Sequence, residues 1–247
     1  MRLLSVTLLR EKVTDWLAYP FLIPAIRTSE KLEFRSRICF FVGENGSGKS
    51  TLLEAIASQY GFGPEGGGRN FYRQTTESSQ SAAPLSKALR VAFTKRTGKG
   101  FYLRAESFFN VASDVDQMAK DDPASDPLAP YGGVSLHQQS HGESFLALLE
   151  NRIFRKGFYL LDEPEAALSP QRQLTMLGVL RDLLEDNEEI QFLIATHSPI
   201  LLAYPGAQIF SFDDGAIHEI AYRETSSYKI MARFLSRPEV YLREIFE

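Results

Sequence analysis

Short apolar runs of strand length alternate along this chain with stretches whose apolar positions recur every three or four residues. Three of the runs, Arg37 to Val42, Phe158 to Leu161 and Ile190 to Ala195, are rich in β-branched and aromatic residues. Such runs predict strands buried on both faces, as in a parallel sheet. After a glycine-rich turn, Leu52, Leu53, Ala55, Ile56 and Tyr60 mark one face of a helix. Gly142 to Phe154 reads as a second helix. Ser169-Pro170 supplies an N-cap and a first-position proline for a third, continued by Leu174, Leu177, Leu180 and Leu184. Weaker signals predict short strands within residues 3 to 42, a helix around Leu85 to Phe93 and a strand from Phe101 to Ala105. Gln208 to Phe212 and Ala216 to Tyr222, joined by Asp213-Asp214-Gly215, predict a hairpin. Between these elements lie a glycine-rich stretch (61 to 69), a Ser/Thr/Gln-rich stretch (74 to 86) and a linker with five aspartates (114, 116, 121, 122, 126). The fold class is therefore α/β, a mainly parallel sheet flanked by helices and joined by right-handed crossovers.

Composition narrows this picture without changing it. The 247 residues suit one large α/β domain or two small ones. Hydrophobic residues at 44% and charged residues at 23% exclude disordered, collagen-like and coiled-coil chains. The 27 Lys and Arg against 31 Asp and Glu give a net charge of −4, which argues against wholesale coating of nucleic acid but not against a local basic patch. Cys39 is the only cysteine, so an intrachain disulfide and a cysteine zinc cluster are both excluded. No segment reaches the roughly 18 uninterrupted apolar residues of a membrane helix. Leu3 to Leu9 reads as an opening strand rather than a signal peptide. A soluble, cytoplasmic globule without membrane insertion is expected.

Gly43-Glu44-Asn45-Gly46-Ser47-Gly48-Lys49-Ser50 fits G-x-x-x-x-G-K-[ST], the phosphate loop. Glycines let successive backbone N–H groups curl around an anion, and the helix that opens there adds its positive end. By average residue usage a chance match has a probability of about 1%. Lys49 is expected to reach the β- and γ-phosphates and Ser50 to ligate Mg²⁺, with Thr51 next in the helix. Tyr159-Leu160-Leu161-Asp162-Glu163 ends a buried strand in two carboxylates, where a parallel sheet delivers residues to its ligand crevice. Asp162 is placed to hold the Mg²⁺ shell, and Glu163 to orient and deprotonate a water. Gly61-Phe62-Gly63-Pro64-Glu65-Gly66 also fits G-x-G-x-x-G, but it follows a helix and precedes none, so it reads as a loop.

In order, the Lys49 loop, Leu161-Asp162-Glu163-Pro164, Ala167-Leu168-Ser169 and Thr196-His197-Ser198 resemble the ATP-binding-cassette (ABC) ATPases, a P-loop NTPase class. Gln138-Gln139-Ser140-His141-Gly142-Glu143-Ser144 is similar to the family's signature, usually Leu-Ser-Gly-Gly-Gln. Ser140 and Gly142 match, His141 replaces a glycine, and Glu143 replaces the glutamine as in the SMC (structural maintenance of chromosomes) branch. The resemblance covers about residues 38 to 198. It implies one ATPase domain over 1–247, with an N-terminal antiparallel β portion (1–42) and a short helical subdomain carrying the signature (about 107–156). It also implies that the signature of one subunit completes the ATP site of another, giving an ATP-dependent head-to-tail homodimer, and that His197 senses the γ-phosphate. The family's Q-loop residue, a further metal contact, falls at Glu106 or Ser107, with Gln74 as an alternative. An adenine-stacking aromatic is sought among Trp16, Tyr19 and Phe21, each of which reads as a core residue before it reads as an adenine platform.

What the ATPase moves is less legible. Lys87, Arg90, Lys95, Arg96, Lys99 and Arg104 form a basic run without an acid, either a nucleic-acid contact or a solvated face. The spacing between phosphate loop and signature leaves no room for an SMC coiled coil. The motifs look most like stand-alone predicted ATPases near the RecF, SMC and OLD (overcoming-lysogenisation) group, linked with repair or defence through an unknown protein partner. An ABC transporter ATP-binding subunit is the alternative, and a nucleotide-binding regulatory module with negligible turnover a third reading.

Overall fold

The computed structural model describes residues 2–63, 82–95, 98–105, 141–153 and 156–246. Ser140, Glu106, Ser107, Gln74, Arg96 and the aspartate-rich stretch lie outside these residues, as does the side chain of His141. In chain order the strands are β1 (Leu3–Leu8), β2 (Lys31–Glu33), β3 (Ile38–Val42), β4 (Leu89–Phe93), β5 (Gly100–Arg104), β6 (Gly157–Asp162), β7 (Ile190–Ala195), β8 (Gln208–Ser211) and β9 (His218–Glu219). The helices are α1 (Pro24–Thr28), α2 (Lys49–Tyr60), α3 (Ala83–Ala88), α4 (His141–Arg152), α5 (Pro170–Asp186), α6 (Pro199–Leu202), α7 (Ser226–Ser236) and α8 (Pro238–Phe246).

The larger sheet has the order β5-β6-β7-β3-β8-β9 and is parallel except for the β8–β9 pair. Every residue of β3, β6 and β7 is buried, which is why these three read as unbroken apolar runs. Alternate side chains serve two cores. Cys39, Phe41, Phe158, Leu160, Leu193 and Ala195 pack towards α2. Ile38, Phe40, Tyr159, Leu161, Phe192 and Ile194 pack on the other face, towards α4, α5 and α6. The helix of the phosphate loop and the helix of the signature thus cover opposite faces of one sheet. Ser169 caps α5 as expected, its side chain accepting from the Arg172 N–H.

The smaller sheet, β2-β1-β4, is antiparallel and lies on the α2 side. Its composition corrects two expectations. The helix expected over Leu85–Phe93 stops at Ala88, and Leu89–Phe93 is a strand paired with β1 along its length. Helical spacing was outweighed there by extended pairing of Val91 and Phe93, a tertiary effect that local pattern does not carry. The N-terminal β portion is likewise not confined to residues 1–42, because β3 joins the parallel sheet and β4 arrives from beyond the phosphate loop. The expected strand Ala216–Tyr222 shrinks to β9, followed by a 3-10 turn at Tyr222–Glu224. The helices α7 and α8 were not anticipated.

Gly100 is fixed by a close approach. It has φ +126°, and a Cβ there would lie 1.9 Å from the Phe158 carbonyl oxygen. Gly100→Ala should therefore cost about 3 kcal/mol or more, read as a lower urea midpoint at an unchanged slope. A loss below about 1 kcal/mol would contradict this packing of β5 on β6.

Candidate functional site

Val42 ends β3, and Lys49 begins α2 one tight loop later. Gly43, Gly46 and Gly48 have φ of 149°, 80° and 102°, which only glycine adopts without strain. Lys49 is buried, and its Nζ donates to the carbonyls of Gly43 (2.7 Å) and Glu44 (3.0 Å). Burial lowers the Lys49 pKa, while the carboxylates of Glu163, Asp162, Asp213 and Glu165 act to keep it charged. Ser47 Oγ is buried without a hydrogen-bond partner among the described residues, a donor left over within the glycine-rich loop. A spare donor beside glycine backbone at the start of a helix is a feature that suits an anion.

Ser50 Oγ donates to Asp162 Oδ1 at 2.8 Å, so the start of α2 and the end of β6 meet as expected. Burial raises the Asp162 pKa to about 6 against the opposing effects of Ser50 and Arg104. The Tyr102 hydroxyl donates to Asp162 Oδ2 at 3.4 Å, and Arg104 lies 3.7 Å from the same oxygen. Arg104 also lies 3.5 Å from Glu54 Oε2 on α2, and burial raises the Glu54 pKa to about 7 despite that guanidinium. Hydroxyl and carboxylate oxygens suit Mg²⁺, which keeps several waters and needs few protein ligands. Among the described residues no group of three or more His, Cys, Asp or Glu is placed to hold a metal ion by itself. An ion here would therefore meet the Ser50 hydroxyl and the Asp162 carboxylate and would need further ligands from outside these residues.

Glu163 breaks the strand. Its φ and ψ are both 51°, a left-handed conformation that is costly for a residue with a Cβ and recurs at functional sites. Glu163 Oε1 lies 3.6 Å from His197 Nε2, both side chains being about one-third exposed. His197 follows β7 in a loop held by several hydrogen bonds. Thr196 N donates to Phe41 O at 3.0 Å, Ser198 N to Thr196 Oγ1 at 3.0 Å, and Ser198 Oγ to Gln173 Oε1 at 2.5 Å. Lys49, Ser50, Asp162, Glu163 and His197 are thus brought near one another at the C-terminal ends of the strands.

Other candidates are placed elsewhere. Gly142 opens α4, where a Cβ would lie 2.5 Å from Arg172 Cδ, and Glu143 pairs with Arg172 at 2.9 Å. The aromatics separate clearly. Phe21 is core, and Trp16 stacks edge-on against it beneath the Arg10 guanidinium, whereas exposed Tyr19 shares a 2.7 Å hydrogen bond with Thr51 Oγ1. The basic run is corrected at Arg104, whose guanidinium points at Glu54 and Asp162 rather than outwards. Lys87, Arg90, Lys95 and Lys99 are exposed. Three residues were missed: Arg104 as a counter-charge, Glu165, and Asp213, whose Oδ1 accepts from the Glu44 N–H at 2.9 Å. Asp213-Asp214-Gly215 signalled only a turn, and no short-range pattern links it to a loop 169 residues away.

Because folding raises the Glu54 pKa from 4.5 to about 7, the folded state holds the extra proton between those values. Stability from this group is therefore greatest below about pH 4.5 and falls until about pH 7. Glu54→Gln should remove that fall, gaining on the order of 2 kcal/mol relative to wild type between about pH 5 and pH 8 in urea titrations. Parallel pH curves for the two proteins would refute the buried, proton-holding carboxyl.

The AAA domain family matches residues 22–191. The thiamine import ATP-binding protein ThiQ of Rhizobium meliloti (strain 1021) is 28% identical over 238 residues, covering 92% of this chain and 89% of that protein. A metal-chelate type ABC transporter in an inward-facing conformation shares the fold, with a TM-score of 0.50 at 16% identity over 81% of this chain and 79% of that one. The SMC head domain from Thermotoga maritima aligns at a TM-score of 0.48 and 17% identity, over 90% of this chain and all (100%) of that one. No helix among the described residues is long and apolar enough to cross a membrane. The chain belongs to the AAA domain family, with the fold of a P-loop ATPase of ABC type.

Proposed function

We propose that residues 1–247 form one Mg²⁺-dependent ATP-hydrolysing domain, acting in the cytoplasm as a nucleotide-controlled switch. The observation that carries this reading is the 2.8 Å hydrogen bond from Ser50 Oγ to Asp162 Oδ1, which brings two metal-binding oxygens together beside the phosphate loop. Residues Gly43 to Thr51 cradle the triphosphate, and Lys49 turns from the loop carbonyls to the β- and γ-phosphates. A bound Mg²⁺, held by Ser50 and Asp162, would neutralise phosphate charge. Glu163 orients and deprotonates the attacking water, and His197 beside it contacts the γ-phosphate.

Dimerisation is supported by the sheet itself. The signature helix α4 and the phosphate-loop helix α2 cover opposite faces, which favours Ser140, His141, Gly142 and Glu143 completing the ATP site of a second copy. Hydrolysis would then separate the copies and drive a protein partner, in repair or defence. Likeness to the import protein ThiQ favours a second reading, the ATP-binding subunit of a transporter. Stable ATP-dependent dimers without membrane subunits support the first reading, and recovery with membrane subunits supports the second.

Glu163→Gln should lower kcat by about 10²- to 10⁴-fold, leave ATP affinity within a few-fold and accumulate an ATP-bound dimer in analytical ultracentrifugation. Unchanged turnover would reject Glu163 as the base. Lys49→Ala should abolish ATP binding, and wild-type affinity in that variant would reject the phosphate-loop assignment. For the exposed Lys87, Arg90, Lys95 and Lys99, titration of DNA and RNA over salt is the test. Nucleic-acid contact requires an affinity that falls as salt rises, and salt-independent or absent binding would remove it.

A further inference from the structure

Glu165 lies in the 3-10 turn Pro164–Ala167, two residues beyond the proposed base. Its Oε1 accepts the backbone N–H of His197 at 2.6 Å, linking the turn after β6 to the loop after β7. The neighbouring amides are satisfied by other means: Thr196 by the Phe41 carbonyl, Ser198 by Thr196 Oγ1, and Ile200 and Leu201 by Ser198 Oγ. The amide of His197 is the one in this series that goes to a charged side chain from another segment. A charge-assisted bond of this length is among the stronger ones available to a loop.

Packing does not do the same work. On its outer side the His197 loop borders a cavity of about 690 Å³, shared by Glu165, His197 and Ser198 with Met231 and Leu235 of α7. Nor does a hydrogen bond hold the ring: His197 Nε2 and Glu165 Oε2 are buried without hydrogen-bond partners among the described residues, and the polar approach to Nε2 is Glu163 Oε1 at 3.6 Å. The direction in which the imidazole meets Glu163 is therefore set in large part by its own backbone, and that backbone is tied to Glu165.

We propose that Glu165 is a positioning residue for hydrolysis, acting through the His197 amide to set the imidazole against Glu163 and the γ-phosphate. This rests on the ATPase reading above for its effect on rate, but not for the contact itself. Glutamine keeps a carbonyl oxygen that can accept the same N–H, whereas alanine keeps nothing, so the pair separates positioning from charge or chemistry.

The test uses the full chain carrying Glu165→Ala, Glu165→Gln, His197→Ala and the double change Glu165→Ala/His197→Ala. Expected for Glu165→Ala is a kcat about 10-fold lower with KM within about twofold, and recovery to within about threefold of wild type in Glu165→Gln. With His197 already replaced, Glu165→Ala should add less than about twofold. Independently of turnover, amide hydrogen exchange at His197 should be slow in wild type and Glu165→Gln and at least about 10-fold faster in Glu165→Ala. Equal losses in Ala and Gln, a full further loss without His197, or unchanged exchange in Glu165→Ala would each overturn the proposal. If His197→Ala hydrolyses ATP like wild type, the role of His197 in the ATPase reading fails, while the exchange result still decides the Glu165 contact.

Discussion

The hydrogen bond between Ser50 and Asp162 spans 112 residues and ties the loop side of the molecule to the carboxylate side. It exists because of the strand order. β3 and β6 are not neighbours; β7 lies between them, and Phe41, Ala195 and Asp162 fall in one row across the three strands. A small side chain at Ala195 leaves space over the middle strand for a hydroxyl and a carboxylate to meet above it. Strand β3 lies between β7 and β8, so strands that follow it in the chain fall on both sides of it, the kind of place where open α/β sheets bind ligands.

Charge sets the second constraint. Asp162 and Glu54 are both nearly dry, and each has a pKa raised by burial. Arg104 sits between them, and Lys49 is buried at the other side of the crevice among four carboxylates. Removing such groups from water costs several kcal/mol each unless they are paired. The arrangement therefore carries a standing electrostatic cost that folding of the apolar faces must offset. On the reading proposed above, a cation and a polyphosphate would complement the charges already fixed there.

Much of this was legible in the sequence, for local reasons. The proposed phosphate loop is contiguous, so its glycine spacing, Lys49 and Ser50 can be read without reference to the rest of the chain. Asp162 and Glu163 were legible because burial of both faces of β6 leaves an apolar run that stops abruptly at acids. The pairing of Asp213 with the Glu44 amide, of Glu165 with His197 and of Arg104 with Glu54 was not, since each joins segments whose proximity only the topology creates. Leu89–Phe93 failed for a related reason: its partner β1 lies far earlier in the chain, at the N-terminal side of the glycine-rich loop, and a helix-compatible spacing concealed the pairing. α7 and α8 leave Ile230, Leu235, Ile245 and Phe246 exposed, so their apolar positions do not report on this core.

Glu163 shows how one backbone angle turns strand geometry into site geometry. Side chains alternate along β6, with Tyr159 and Leu161 towards α5 and Phe158 and Leu160 towards α2. Asp162 continues the second set and so reaches Ser50. An extended residue 163 would send its carboxylate through the opposite face, away from the phosphate loop. The left-handed turn at Glu163, at a cost of about 1–2 kcal/mol, re-aims that side chain towards His197 and starts the 3-10 turn carrying Glu165. Three acidic residues within four positions thereby acquire three different partners: a hydroxyl on α2, an imidazole, and the amide beneath that imidazole. The strain at residue 163 is thus the condition that lets one strand end organise both sides of the crevice.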